Sequence, residues 1–264
     1  MAFTIAVSGK GGTGKTTVAA LIIRHIVKRL GRAPLAVDAD PNATLAQALG
    51  VEVQTSIADI REDVVERRIE VPEGASKQRY IEYCIQQAIV EHKGFDLLAM
   101  GRPEGPGCYC YVNHLLRGCL DGASQDYAFV VIDNEAGMEH LSRRTTNDVD
   151  LLLVVAEPTV VSAESALRVL HTADKLPIKV ARRKIVLNKV PRAGLHANVL
   201  GTYQAAGLNI DYQLAHDDEV INASMSGESL TSLPDDNASV QRVASILTDT
   251  LERSTTKAST PGNR

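Results

Sequence analysis

Short continuous apolar runs alternate along the chain with longer stretches in which apolar positions recur every three or four residues. Apart from Thr4, the runs at 4–7, 35–37, 97–100, 129–132, 151–155 and 185–187 are apolar rather than alternating with polar residues, the pattern of strands buried on both faces. Between the first two, Val18, Leu21, Ile22, Ile26 and Leu30 fall on one helical stripe that Gly31 closes, a glycine just past a helix end being a usual stop. The same spacing predicts helices over 81–91, 163–174 and 239–253. Six strands with helices between them predict an α/β fold, a mostly parallel twisted sheet covered by helices on both faces. No break in composition and no internal repeat interrupts the body, so residues 1–253 read as a single domain. Residues 254–264 are polar, with Pro and Gly, and read as a disordered tail.

Composition narrows the function classes. The 264 residues are 44% hydrophobic and 23% charged, ordinary globular usage. A net charge of −4 supplies no field for phosphate backbones, so no nucleic acid is expected as a main partner. The longest apolar stretches reach about a third of the ~20 residues that span a bilayer, so no membrane association is expected. The first seven residues lack a basic start and read as a strand rather than a secretory signal, which predicts a cytoplasmic protein. Four cysteines, Cys84, Cys108, Cys110 and Cys119, are too few for a disulfide scaffold and read as thiols or ligands.

Directly after the first apolar run comes Gly9-Lys10-Gly11-Gly12-Thr13-Gly14-Lys15-Thr16-Thr17, a match to G-x-x-x-x-G-K-[ST] with a strand before it and a helix after it. Glycines let successive backbone N–H groups turn onto phosphates, and the start of the following helix adds partial positive charge there. Lys15 neutralises the β and γ phosphates, and Thr16 offers its hydroxyl to Mg²⁺. The fold is thus expected to be a P-loop NTPase with ATP and Mg²⁺ as cofactors. The fourth run delivers Asp133-Asn134-Glu135-Ala136-Gly137. An acid there can hold a water on Mg²⁺, and the glycine permits a hinge that senses the γ phosphate. The second run ends in Asp38-Ala39-Asp40-Pro41, two acids at an edge where α/β sheets bind ligands. Asn188, at the end of the sixth run, can both donate to and accept from an adenine edge. Each of these also has a structural reading: Asp38 or Asp133 as a helix cap, Asp40-Pro41 or Asn188 as a turn.

Cys108-Tyr109-Cys110 follows a Gly/Pro-rich approach. Thiolates suit Zn²⁺, Ni²⁺ or Cu⁺ better than Mg²⁺. One pair supplies half of the usual four-ligand site, and a two-fold axis between two copies would supply the rest. The intrachain alternative recruits Cys84 and Cys119, whose apolar neighbours suit small buried hydrophobes better. His114 lies one helical turn beyond the pair.

The second lysine of the loop, Lys10, makes the sequence resemble the deviant-Walker-A ATPases, the family of MinD, ParA and the nitrogenase iron protein. That resemblance implies that Lys10 acts in trans across a homodimer on the partner's nucleotide. It also implies that Asp40 orients the attacking water, that Asp38 belongs to the magnesium environment and that Asn188 reads the base. Residues 105–117 around the cysteine pair, together with 133–143, look like the CooC-type accessory ATPases that insert nickel into carbon monoxide dehydrogenase. The similarity runs from the first strand to about Arg253. It implies an ATP hydrolase coupled to nickel delivery, with Cys108 and Cys110 holding nickel or zinc and carbon monoxide dehydrogenase as client. A related maturation ATPase for acetyl-CoA synthase and a MinD- or ParA-like positioning ATPase remain alternatives. His140 stands where the nitrogenase iron protein has its second cluster cysteine, which argues against an iron–sulfur reductase.

Overall fold

The strands are β1 (Phe3–Gly9), β2 (Leu35–Ala39), β3 (Val90–His92), β4 (Phe95–Ala99), β5 (Phe129–Ala136), β6 (Leu151–Ala156), β7 (Arg183–Val190) and β8 (Tyr212–Ala215). The helices are α1 (Lys15–Leu30), α2 (Thr44–Leu49), α3 (Ile57–Val65), α4 (Lys77–Gln87), α5 (Val160–Lys175), α6 (Ala197–Ala205), α7 (Asp218–Ser226) and α8 (Ala238–Ala258). They belong to a computed structural model that describes residues 2–66, 74, 76–102, 115, 118, 126–136, 148–175 and 179–258.

One sheet runs in the order β3-β4-β2-β5-β1-β6-β7-β8. Every pairing in it is parallel except that of β3 with β4. The central strands owe their unbroken apolar runs to burial on both sides. Leu151, Leu153 and Val155 of β6 face a core built with α1 and α8, while Leu152, Val154 and Ala156 face one built with α5 and α6. A third cluster packs α3 and α4 against Leu35, Val37, Val130 and Ile132.

Two strands lie outside the six runs. The predicted helix over 81–91 ends at Gln87, and β3 begins at Val90. Ile81 and Ile85 keep helical spacing, and Ile89 and Val90 continue it in sequence. Gly94, at φ +102°, instead turns the chain back, so that Val90 pairs with Leu97. β8 has four residues and a single buried side chain, Leu214, too short a pattern to declare itself. The last helix reaches Ala258 rather than 253, and its apolar positions Val240, Val243, Ile246 and Leu247 are buried against the core. Among the described residues no helix is long and apolar enough to cross a membrane.

Asp217 joins the two last helices. Its side chain caps α7 through the N–H groups of Glu219 and Val220, and accepts from the Ser239 hydroxyl at 2.6 Å and the Asn237 amide at 3.0 Å. Burial pushes this carboxyl up, but the hydrogen bonds from Ser239, Val220 and Asn237 outweigh it and hold it below the ordinary range. A depressed carboxylate contributes stability above its unfolded pKa, about 3.9, and loses that contribution as pH falls through the folded value. Asp217→Ala should therefore cost about 1–3 kcal/mol at pH 7. The deficit should shrink in denaturant melts as the pH is taken below about 3.9, where the unfolded carboxyl begins to take up its proton.

Candidate functional site

The parallel sheet gathers the carboxyl ends of β1, β2, β5, β6 and β7 along one edge, and the phosphate-loop residues lie in the middle of it. Gly9 ends β1 at φ +153°, where a Cβ would stand 2.1 Å from the Val155 carbonyl oxygen of β6. Only glycine lets the loop leave so close to its neighbour. Gly14, at φ +90°, caps α1 without a side chain and leaves the first-turn N–H groups open, as an anion site at a helix start requires.

The loop curls around the Lys10 carbonyl oxygen. That oxygen accepts from the Thr13 hydroxyl at 2.9 Å and, less closely, from the Thr13 N–H at 3.4 Å, with the Lys15 ammonium at 3.5 Å. Lys15 is buried, whereas the Lys10 side chain is exposed. The loop opens into a cleft of about 660 Å³, lined by Gly12, Lys15, Thr16, Asp40, Glu135 and Asn188. Leu214, His216, Asp217, Val220, Ile221 and Met225 line it too.

Strand register aligns the acids. Asp38 of β2 is paired with Asp133 of β5, and both are almost wholly buried. Asp133 accepts the Thr16 hydroxyl at 2.6 Å on one oxygen, while its other oxygen, Oδ1, is buried with no partner. Burial pushes Asp133 up to about 7; Asp38 and Asp40 also raise it, against the Thr16 hydrogen bond and the charge of Lys15. A buried carboxylate with an idle oxygen beside a threonine hydroxyl is a hard-oxygen donor set of the kind Mg²⁺ takes, with water completing its shell. These residues therefore fit the ion expected at Thr16 and Asp133.

Asp38 uses both of its oxygens on backbone. It accepts from Leu45 and Ala46 at the start of α2 and, at 3.2 Å, from Asp40. Burial raises it to about 6 despite those bonds. This is the capping arrangement left open in the sequence. Asp40 lines the cleft and holds the Asn42 N–H and side-chain amide at 2.9 Å each, which closes the turn over Pro41. Asn188 reaches the same cleft and donates to the Thr13 carbonyl at 2.9 Å. Cys108, Cys110, Cys119, His114, Gly137 and His140 lie outside the described residues. Cys84 is half-buried in α4, packs at the edge of the α3–α4 core, and burial pushes its thiol up, as a packing role predicts.

Several cleft residues escape sequence reasoning. Lys189 lines the cleft and forms a 2.7 Å ion pair with Glu157. The wall from Leu214 to Met225 depends on β8, the strand too short to read. The available signal was the acidic start of α7, Asp217-Asp218-Glu219, just past a short alternating segment.

A parallel sheet whose first strand leads through a glycine loop into a helix start, with a buried acid facing that loop, defines a P-loop nucleotide-binding protein. The chain belongs to the CobQ/CobB/MinD/ParA nucleotide-binding domain family, which it matches over residues 4–230. It is 41% identical to an ATP-binding protein of Methanocaldococcus jannaschii over 92% of this chain and 96% of the relative. It is 35% identical to the carbon monoxide dehydrogenase accessory protein CooC of Rhodospirillum rubrum over 66% of this chain and 70% of that one. Among solved structures it is similar to the septum site-determining protein MinD of Pyrococcus horikoshii, complexed with Mg-ADP. The two share a TM-score of 0.68 at 18% identity, over 98% of this chain and 100% of that one. At that identity the likeness concerns the fold.

Gly14→Ala should abolish tight nucleotide binding. The added Cβ would meet the Asn188 amide nitrogen at 2.2 Å, in a backbone region that side chains rarely adopt. Calorimetric titration with ADP and ATP should show at least about a tenfold loss, the equivalent of one charge-assisted contact. Affinity equal to wild type would contradict the loop geometry.

Proposed function

We propose that this ATPase-family protein is an ATP-dependent metallochaperone that delivers nickel to carbon monoxide dehydrogenase, carrying the metal on Cys108 and Cys110. The observation that carries the reading is the Cys-x-Cys pair within a chain 35% identical to the CooC accessory protein. Two thiolates from each of two copies make a closed four-ligand site for a soft ion, so a homodimer is part of the proposal. The client is carbon monoxide dehydrogenase, with acetyl-CoA synthase as the variant of the same chemistry.

In this reading Lys15 and the α1 N–H groups bind the β and γ phosphates, while Thr16 and Asp133 hold Mg²⁺, which supplies charge neutralisation at the phosphates. Asp40, which lines the cleft, holds the attacking water. The exposed Lys10 reaches the partner's nucleotide, placing positive charge where phosphoryl transfer accumulates negative charge. Asn188 lies at the base end, where the apolar wall of Leu214, Ile221 and Met225 offers a slot for a planar ring. Loss of the γ phosphate releases the segment after Asp133 and loosens the thiolate site.

A MinD-like positioning role shares the fold and the loop. It requires an apolar surface for a membrane, and the apolar face of α8 up to Leu247 is already buried. The deciding measurement is metal content and mass of reduced protein, with ATP, with ADP and with neither. Wild-type protein supplied with nickel or zinc should hold about one ion per two chains. Cys108→Ala/Cys110→Ala should hold none, with binding of a fluorescent ATP analogue as the check on folding. Equal metal in the double variant, or a monomeric metal-free wild type in every nucleotide state, would overturn the proposal. Retention on liposomes with ATP would favour the positioning role, and activation of nickel-free acetyl-CoA synthase alone would reassign the client.

A further inference from the structure

Near the end of β7 the backbone takes a conformation that the strand does not need. Lys189 has φ +58°, in the left-handed region, and the pairing with β8 shifts register between Leu187 and Val190. A long side chain held there is strained, and surrounding contacts must maintain it. The shift takes Asn188 and Lys189 out of the regular ladder and turns both side chains toward the phosphate loop. Asn188 donates to the Thr13 carbonyl at 2.9 Å, and Lys189 Nζ donates to the adjacent Gly12 carbonyl at 2.6 Å. The same ammonium lies 2.7 Å from Glu157 Oε1, one residue past the end of β6.

A trans peptide points its N–H opposite to its C=O. Drawing the Gly12 and Thr13 carbonyls toward β7 therefore turns the N–H groups of Thr13 and Gly14 the other way. The Thr13 N–H already faces the Lys10 carbonyl, at the centre of the loop. Glycine-rich loops are otherwise free to point their amides in many directions, and a site that must order them on binding loses affinity to that ordering.

We propose that Lys189 is a positioning residue for the nucleotide: its ammonium, anchored by Glu157, holds the phosphate loop in the conformation that receives phosphate, without touching the phosphate itself. The assignment rests on the nucleotide reading of the loop and is independent of metal carriage. A purely structural role fits the geometry less well. Lys189 and Glu157 are 46% and 36% exposed, and an ion pair so exposed contributes little to global stability, whereas its anchor point is the flexible loop.

Lys189→Met keeps the side-chain length and the backbone cost while removing the donor. It should weaken ADP and ATP binding alike by about tenfold, the equivalent of one charge-assisted hydrogen bond. In turnover the change should appear in KM rather than kcat, and the nucleotide-free melting temperature should stay at the wild-type value. Lys189→Arg should recover most of the affinity, and Glu157→Gln should show a smaller loss in the same direction. Unchanged affinity in Lys189→Met would overturn the proposal, as would a lower melting temperature with affinity intact. A loss confined to ATP would overturn it too, since it would mean direct contact with the γ phosphate. If the unmodified protein binds neither nucleotide, the loop reading falls with it; metal content bears on neither result.

Discussion

Strands running in one direction must release all their carboxyl ends on one edge, and each end leaves backbone and side-chain polar groups that no neighbouring strand can pair. In this protein β2, β5, β1, β6 and β7 all stop along that edge. Residues distant in the chain are thereby brought around one cleft, among them Lys15, Asp40, Glu135 and Asn188. The apolar runs that make the sheet possible are thus also what concentrates polar chemistry at its mouth.

The electrostatics of that mouth follow from burial. Asp38 and Asp133 sit side by side in adjacent strands, away from water. Asp38 is compensated by three backbone N–H groups. Asp133 has one hydroxyl donor and an idle oxygen, so it is the acid with capacity left for an added cation. Two carboxylates with nearly the same burial therefore take different parts because their hydrogen-bond partners differ. The loop shows the same division of labour. Lys15 is buried behind the loop, Lys10 is exposed at its front, and Lys189 holds the loop's rim from the side.

The nucleotide half of the molecule is common to a family that includes division and partition proteins, and its likeness to MinD structures extends over nearly the whole chain. Specific function in such a family comes from the sites grafted on the fold rather than from the sheet. In this chain Cys108 and Cys110 fall in sequence between β4 and β5, the two strands that flank β2, and the metal-carriage proposal rests on that pair.

The central sheet and the phosphate loop were legible from residue order alone. Continuous apolar runs have no other stable place than a doubly covered sheet, and the glycines, Lys15 and Thr16 are contiguous, so no long-range folding is needed to see them together. What Asp38, Asn188 and Lys189 touch was not legible. Asp38 could have faced a cation or a helix start, and only the placement of α2 gave its oxygens to Leu45 and Ala46. The edge strands β3 and β8 also needed tertiary structure, because short, half-exposed segments acquire their conformation from a neighbour's unpaired ladder rather than from their own pattern. The bend at Lys189 lies at the far limit of this rule. No local preference places a lysine in the left-handed region, and it is held there by a glycine loop and a glutamate that reach it from 177 and 32 residues away.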